Sequence, residues 1–567
     1  MTLQGNDPDT TETTHMKVGF ITHHTFSAQD SLNTIFGGVV EVLRRLGHEV
    51  LFYAPEFVVA SRDRKRELVK ELLLDSDVIL GAIDDMVLQV REGIGRHVPY
   101  VCFLNGSMSR GAPNLITIHH LFKSTDVLVG NCTGDVEITE KFFTNAFTRL
   151  LPFTFDEDFY HPFDEASRLA LKAKLGFGAE EKILLYSGRL TLEKNVHTLL
   201  RVFSVLRTVV PESRLVIVGA EYNDPFPEFG IFTVGIARTL ERTAARLGIP
   251  EDRVSFLGRR SLEDLLGLYN IADVLVNMTL HHDENFGLSQ IEAMACGTPV
   301  VGTNWGGLKD TIVEGETGYK VSTVVTRSGV KVNWWEAVNR LASLLRSGEP
   351  RKLRERCRAV ALDRFSLASN CQILESILAD CRRFVDGQRE PLKASVFARQ
   401  YWGLCTLQWG EPPPYRRGPR SEEMYRELIT PFTGTSPGSA PEGRLENLHI
   451  LSLATPVRPT ERGTLEIDDP IFPLEITIPD EHRQTVSTTL EVMKEEPVVT
   501  VGRLVRTHLR EHANALEALA WMIDVGLLLR SRSEPDAVAL RSIGAQMGLP
   551  LFSIQSVSHT ADAIVIR

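Results

Sequence analysis

From Met16 onward, short apolar runs alternate with stretches whose apolar residues recur at helical spacing. Lys17–Thr22 (KVGFIT) reads as a buried strand, followed by a helix ending at Leu46 and a second strand over Glu49–Tyr53. Asp77–Leu80, Pro99–Leu104 and Val127–Gly130 continue the series. It restarts at Lys182–Tyr186 (KILLY) and runs through Arg214–Val218, Val254–Leu257, Val274–Asn277 and Pro299–Gly302. Strand–helix alternation of this kind predicts an α/β fold, with parallel sheets covered on both faces. Two such units are expected, joined near Phe153–Glu180, with a helix-rich stretch from Trp334 to about Gln400.

The pattern then changes. Glu411–Gly443 is dense in Pro, Gly and Ser and reads as a linker. Beyond Arg444 come strand-like runs at Leu448–Leu453 and Leu474–Ile478. A helix follows, with Leu516, Leu519, Ala520 and Ile523 on one face, Gly526 placed to cap it and LLLR as a short strand after it. Three short helices plus a strand suit a winged-helix-like α+β module. Residues 481–533 nevertheless carry seven Lys/Arg against seven Asp/Glu, so the basic footprint that DNA requires is missing. Packing, or docking of a protein partner, is the expected role of this module. The resulting layout is a disordered tail (1–15), a first α/β domain (16–157), a second (158–375), crossover helices returning to the first (376–410), the linker (411–443) and an accessory domain (444–567).

Composition narrows the function. In 567 residues, 43% hydrophobic and 24% charged, the net charge is -11, which argues against nucleic acid or anionic lipid as partner. No apolar run approaches the ~18 residues of a membrane span, and residues 1–15 lack the apolar core of a secretion signal. The seven cysteines are dispersed without a CxxC pair, as expected of buried free thiols in a reducing, cytoplasmic setting.

Two stretches carry chemistry. In Glu284-Asn-Phe-Gly-Leu-Ser-Gln-Ile-Glu292, Gly287 marks a tight loop, Leu288–Cys296 is a helix, and Gly297 with Pro299 ends it. The backbone amides around Phe286–Ser289 would then lie at a helix N-terminus, an anion site suited to phosphate. Glu284 precedes the helix and Glu292 lies about one turn inside it. In Ser187-Gly-Arg-Leu-Thr-Leu-Glu-Lys-Asn195, Arg189 leaves the end of a strand and Lys194 opens the next helix. Two cations could therefore meet at the carboxyl edge of the sheet and neutralise a diphosphate leaving group without a metal ion.

SGRL…EKN, VSFLG, ENFGLSQIEAMACGTPVV and GG…E-G-x-TG together resemble the donor domain of retaining glycosyltransferases of family 4, the group 1 glycosyl transferases. The likeness spans roughly Lys17–Ser366 and is strongest in the second unit. It implies the GT-B fold: two Rossmann-like doubly wound domains facing across a cleft. It implies transfer of a hexosyl group from a UDP- or GDP-sugar to an acceptor, with a nucleotide sugar as co-substrate and no cofactor. Arg189 and Lys194, beside Gly188, would bind the diphosphate. Glu284 would hold the hexose hydroxyls and Glu292 the ribose hydroxyls. Asn285 and the backbone at Phe286, Gly287 and Leu288 would line the phosphate, and Leu257-Gly258 would meet the base. The helix near Arg364–Asp380 would return to the first domain.

The first unit departs from the pattern. The family's Gly-Gly loop has no counterpart near Asp30-Ser31, and Gly37-Gly38 fall inside a helix, where close packing is expected. Asn105-Gly106 stand where relatives place a histidine, and an amide cannot take up a proton. His23, His24, His119 and His120 are further cleft candidates. His281, His282, Asp283 and Glu284 invite a metal reading, but no third His or Cys stands at a usual spacing, and no metal is expected. Trp305, Trp334 and Trp335 are expected in the core. The alternative function is a catalytically silent nucleotide-sugar-binding scaffold; a nonhydrolysing epimerase fits the E-x7-E arrangement less well.

Overall fold

The structure is a computed structural model that describes residues 15–21, 31–52, 60–104, 115–191, 194–221, 235–280, 284–326, 329–383, 390–405, 427, 430–434, 450–453, 457–460, 464–467, 474–496, 498–531, 557–560 and 563–566. His23, His24, Asn105, Gly106, His281, His282, Asp283, most of the tail and most of the expected linker lie outside them. Two compact units emerge. One comprises residues up to 131, 139–156 and 364–398; the other comprises 132–138, 157–363 and the chain from 399 on.

The first unit is built on a sheet of β1 (Lys17–Ile21), β2 (Glu49–Phe52), β3 (Val78–Ala82), β4 (Tyr100–Phe103), β5 (Val127–Gly130) and β6 (Thr148–Leu150), in the order β2-β1-β3-β4-β5-β6. Neighbouring strands are parallel throughout. Burial on both faces explains why these strands are nearly continuous apolar runs. The helices are α1 (Ser31–Arg45), α2 (Arg62–Asp75), α3 (Asp85–Gly93) and the second half of α4 (Thr133–Phe142), whose first half, to Ile138, counts with the second unit. Ser61 and Asp84 cap α2 and α3, each accepting from backbone amides of the first turn. Within α1, Gly38 is a close-packing point, since a Cβ there would lie 2.5 Å from Thr154 Oγ1, whereas Gly37 faces open space.

The second unit repeats the plan with β7 (Lys182–Ser187), β8 (Ser213–Val218), β9 (Val254–Gly258), β10 (Val274–Asn277), β11 (Val300–Thr303) and β12 (Gly318–Val321), in the order β12-β11-β10-β7-β8-β9, again all parallel. Its helices are α5 (Glu165–Lys174), α6 (Val196–Val209), α7 (Ile236–Arg246), α8 (Leu262–Ile271), α9 (Leu288–Ala295), the single turn α10 (Leu308–Thr311), α11 (Trp334–Arg346) and α12 (Glu349–Phe365). An antiparallel hairpin, β13 (Thr323–Thr326) and β14 (Gly329–Val332), follows β12. Trp305, Trp334 and Trp335 are core residues, each at most 2% exposed.

The helix expected near Arg364–Asp380 packs with the first unit. α13 (Leu367–Arg383) and α14 (Val396–Cys405) follow α12, and residues 364–398 count with the first unit. The cause is the stripe Leu374, Ile377, Leu378 and Cys381, spaced i, i+3, i+4, i+7, which is buried in the first unit's core beside Val42 and Leu43 of α1.

Beyond the two sheets, β15 (Ile450–Leu453) pairs antiparallel with both β19 (Val498–Thr500) and β20 (Leu528–Ser531). β16 (Val457–Pro459), β17 (Thr464–Ile467) and β18 (Leu474–Thr477) form a separate antiparallel sheet. α15 (Arg483–Glu495), α16 (Val501–Thr507) and α17 (Ala515–Asp524) bury Val486, Leu504, Leu519 and Met522 in a shared core with Leu451 and Leu528. Gly526, at φ 79°, ends α17. Among the described residues no helix is long and apolar enough to cross a membrane.

The expected linker is corrected at one place. Thr430–Gly434 is packed into the second unit, with Phe432 fully buried. A Pro- and Gly-rich composition signals turns, yet one aromatic side chain is enough to anchor such a stretch.

Candidate active site

In the second sheet the chain leaves β7 outward through β8 and β9, then returns to the other side of β7 as β10. The loops after β7 and β10 therefore diverge and leave a crevice between their carboxyl ends, the switch point where open α/β sheets bind ligands. The two motifs read from the sequence occupy these two loops.

The loop after β7 is tightly built. Tyr186 Oη donates to the carbonyl of Arg189 (2.8 Å), and the Gly188 amide donates to Val218 O (3.0 Å). Gly219, at φ 150°, passes so close that a Cβ would lie 1.7 Å from Gly188 O, so only glycine fits there. Arg189 is exposed on this loop. Asn195, left-handed at φ 57° and 2% exposed, opens α6 and donates from Nδ2 to Met278 O (2.9 Å), which ties the loop after β7 to the loop after β10.

Across that tie, Lys194 Nζ donates to Glu284 Oε2. Both side chains are largely enclosed, at 14% and 11% exposure. The structure thus brings Lys194 and Glu284 together from opposite sides of the switch point.

Glu284 runs directly into α9. Gly287, at φ 86°, turns the chain, and the Gln290 amide bonds back to Gly287 O (2.9 Å). The amides of the first turn of α9 thus lie at the positive end of the helix dipole. Asn285 and Leu288 are half-buried, and Phe286 and Gly287 are buried. Gly297, at φ 81°, closes the helix, its amide donating to Met294 O (2.9 Å).

The loop Gly306–Gly307 supports Glu284 from behind. The Gly307 amide donates to the Glu284 carbonyl (2.7 Å). A Cβ on Gly307 would lie 2.2 Å from the Phe286 amide nitrogen, and one on Gly306 2.3 Å from Glu284 O.

Glu292 is anchored separately. Tyr269 Oη, from α8, contacts Glu292 Oε2 at 2.8 Å and Ser187 Oγ at 3.1 Å. Burial pushes the Glu292 carboxyl above the ordinary carboxylate range, only partly opposed by hydrogen bonds from Tyr269 and Tyr160. Burial, reinforced by the Glu292 charge, also raises the Tyr269 phenol, so it stays protonated and donates. Behind the helix, burial pushes the Cys296 thiol up to about 12. Leu257 and Gly258 end the edge strand β9, with Gly258 at φ 66° and its carbonyl accepting from Gly219 (3.0 Å).

Asn195, Tyr269 and the Gly306–Gly307 pair are parts of this site to which the motifs assigned no role. Asn195 stood in the EKN motif and the glycines in GG…E-G-x-TG. Tyr269 carried no signal, because an aromatic inside an apolar helix reads as core. Among the described residues no group of three or more His, Cys, Asp or Glu is arranged to hold a metal.

Two six-stranded parallel sheets, each doubly wound, are the architecture of the GT-B glycosyltransferases. A solved glycosyltransferase from Rickettsia africae shares it, with a TM-score of 0.51 at 15% identity over 66% of this chain and 100% of that one. Residues 167–361 match the family described as glycosyl transferases group 1. Mannosylfructose-phosphate synthase of Agrobacterium fabrum is 34% identical over 191 residues, 33% of this chain and 40% of that protein. A D-inositol 3-phosphate glycosyltransferase of Stackebrandtia nassauensis is 30% identical over 278 residues, 47% of this chain and 57% of that protein. The chain thus matches about half the length of these relatives.

Proposed function

We propose that the chain is a retaining, metal-independent hexosyltransferase that uses a UDP- or GDP-sugar and a hydroxyl acceptor. The observation that carries this reading is the Lys194–Glu284 pair at the switch point, beside the N-terminus of α9 and inside the group 1 region.

In this reading Lys194 and Arg189, with the first amides of α9, take the diphosphate. As the glycosidic bond breaks, negative charge grows on the departing phosphate, and these donors stabilise it at the stage where it is largest. Lys194 ties the two halves of the reaction together, because the cation that receives the leaving group also holds Glu284. Glu284 keeps the hexose hydroxyls in place beside the anomeric carbon. Glu292, set by Tyr269, grips the ribose, and Leu257-Gly258 meets the base. The acceptor hydroxyl attacks from the face the nucleotide leaves, which preserves the anomeric configuration.

The test is incubation with UDP-glucose and GDP-mannose, following free UDP or GDP without acceptor. Slow release from one donor that falls by about 100-fold in Lys194→Ala supports the assignment. Tight binding with no release would instead favour the scaffold.

A further inference from the structure

Among the described residues, Thr430–Gly434 of the stretch leading to the C-terminal elements touches the candidate site. Phe432 is fully buried against Trp305, with ring centroids 6.2 Å apart. A Cβ at Gly134 would lie 3.0 Å from the Phe432 ring. Gly134 is itself held in this unit, because Asp310 accepts from the neighbouring Thr133 amide (2.7 Å) and hydroxyl (2.9 Å).

The main chain of the stretch is fastened as well. Gly306 donates to Phe432 O (2.7 Å), and Gly434 donates to Asn304 O (3.1 Å). Lys309 Nζ donates to Pro431 O at 2.6 Å and reaches Thr433 O at 3.4 Å. Gly434 lies so close to Asn304 that a Cβ would be 1.9 Å from its Oδ1. The loop fastened in this way is the one whose next amide, Gly307, holds the Glu284 carbonyl at 2.7 Å.

We propose that Pro431–Gly434 is an internal strap, and that Phe432 is a positioning residue that sets Glu284 through the Gly306–Gly307 loop. The chain of contacts is short: Phe432 O to the Gly306 amide, the Gly306–Gly307 peptide, then the Gly307 amide to Glu284 O. Loosening the strap frees the loop that fixes the Glu284 main chain, and the carboxylate loses its fixed place opposite Lys194. The segment has a functional position although its composition is that of a linker. The catalytic consequence rests on the role given to Glu284 above; the structural coupling does not.

The full-length chain, Phe432→Ala, Phe432→Leu and Lys309→Met would be compared by hydrogen exchange and by donor hydrolysis. The expected result is exchange roughly 10-fold faster at Gly306 and Gly307 in Phe432→Ala and Lys309→Met, with β7 unchanged. With it, kcat should fall by about 10-fold or more at near-constant KM, and Phe432→Leu should restore most of the loss. Unchanged exchange at the two glycines would overturn the strap, as would equal acceleration in β7, which would mark Phe432 as a general stabiliser. Faster local exchange with undiminished kcat would overturn the positioning role. A wild-type chain that turns over neither UDP-glucose nor GDP-mannose counts against the proposed function, while the exchange data still decide the strap.

Discussion

Replacing Lys194 by Met keeps most of the apolar stem and removes the charge that Glu284 faces. Exposed ion pairs contribute about 0–1 kcal/mol, whereas removing one partner of a buried pair costs about 3–5 kcal/mol because a buried charge is left uncompensated. Side-chain exposures of 14% and 11% put this pair near the buried limit. Lys194→Met should therefore cost roughly 2–4 kcal/mol in urea denaturation at neutral pH. Glu284→Gln alone leaves a buried ammonium and should cost a similar amount. The double variant removes both charges and should be less destabilised than the sum of the two, with a coupling of roughly 1–3 kcal/mol. The same cycle on donor hydrolysis separates packing from chemistry. If Lys194 stabilises the leaving diphosphate, kcat/KM falls by about 100-fold or more in every variant lacking it, including the double variant whose stability loss is less than additive. Lys194→Met within 0.5 kcal/mol of wild type and within about threefold in kcat/KM would refute both the energetic and the catalytic argument.

Other outcomes follow from the same site. Glu292 is raised above its ordinary value of 4.5 by burial, so its favourable contribution is present below that pH and is lost as pH rises through the raised value. Glu292→Gln keeps an acceptor for Tyr269 without the charge; its melting temperature should overtake that of wild type as pH rises from 4 to 8, while nucleotide affinity measured by calorimetry falls. A constant difference across that range would reject the assignment. EDTA should leave donor hydrolysis unchanged, and a full loss restored by Mn²⁺ would contradict the metal-free mechanism. Chains ended after residue 443 and after residue 410 should both retain UDP- or GDP-dependent thermal stabilisation, whereas donor hydrolysis should fall only in the shorter one, which lacks the Phe432 strap; equal hydrolysis by both would count against the strap.

Much of the fold was legible from periodicity. Val127–Gly130 and Val274–Asn277 appear with the expected bounds, and β1, β4, β7 and β11 fall within two residues of theirs. Buried parallel strands announce themselves as continuous apolar runs. β6 and β12 escaped because short strands such as Thr148–Leu150 and Gly318–Val321 mix polar with apolar residues. A helical stripe such as Leu374, Ile377, Leu378 and Cys381 shows that a face is buried but not against which partner.

The local grammar of the site was determined by sequence alone: glycine where the backbone turns left-handed, the helix that opens at Leu288 and closes at Gly297, and the order of cations and carboxylates along the chain. These are short-range matters of sterics and hydrogen bonding within a few residues. Only the tertiary structure decided that Lys194 meets Glu284 across 90 positions, that Tyr269 carries Glu292, and that Phe432 lies behind the Gly306–Gly307 loop. Those pairings follow from the order of strands in the sheet and from which buried surfaces meet. They arise when the chain packs, and no local pattern of residues encodes them.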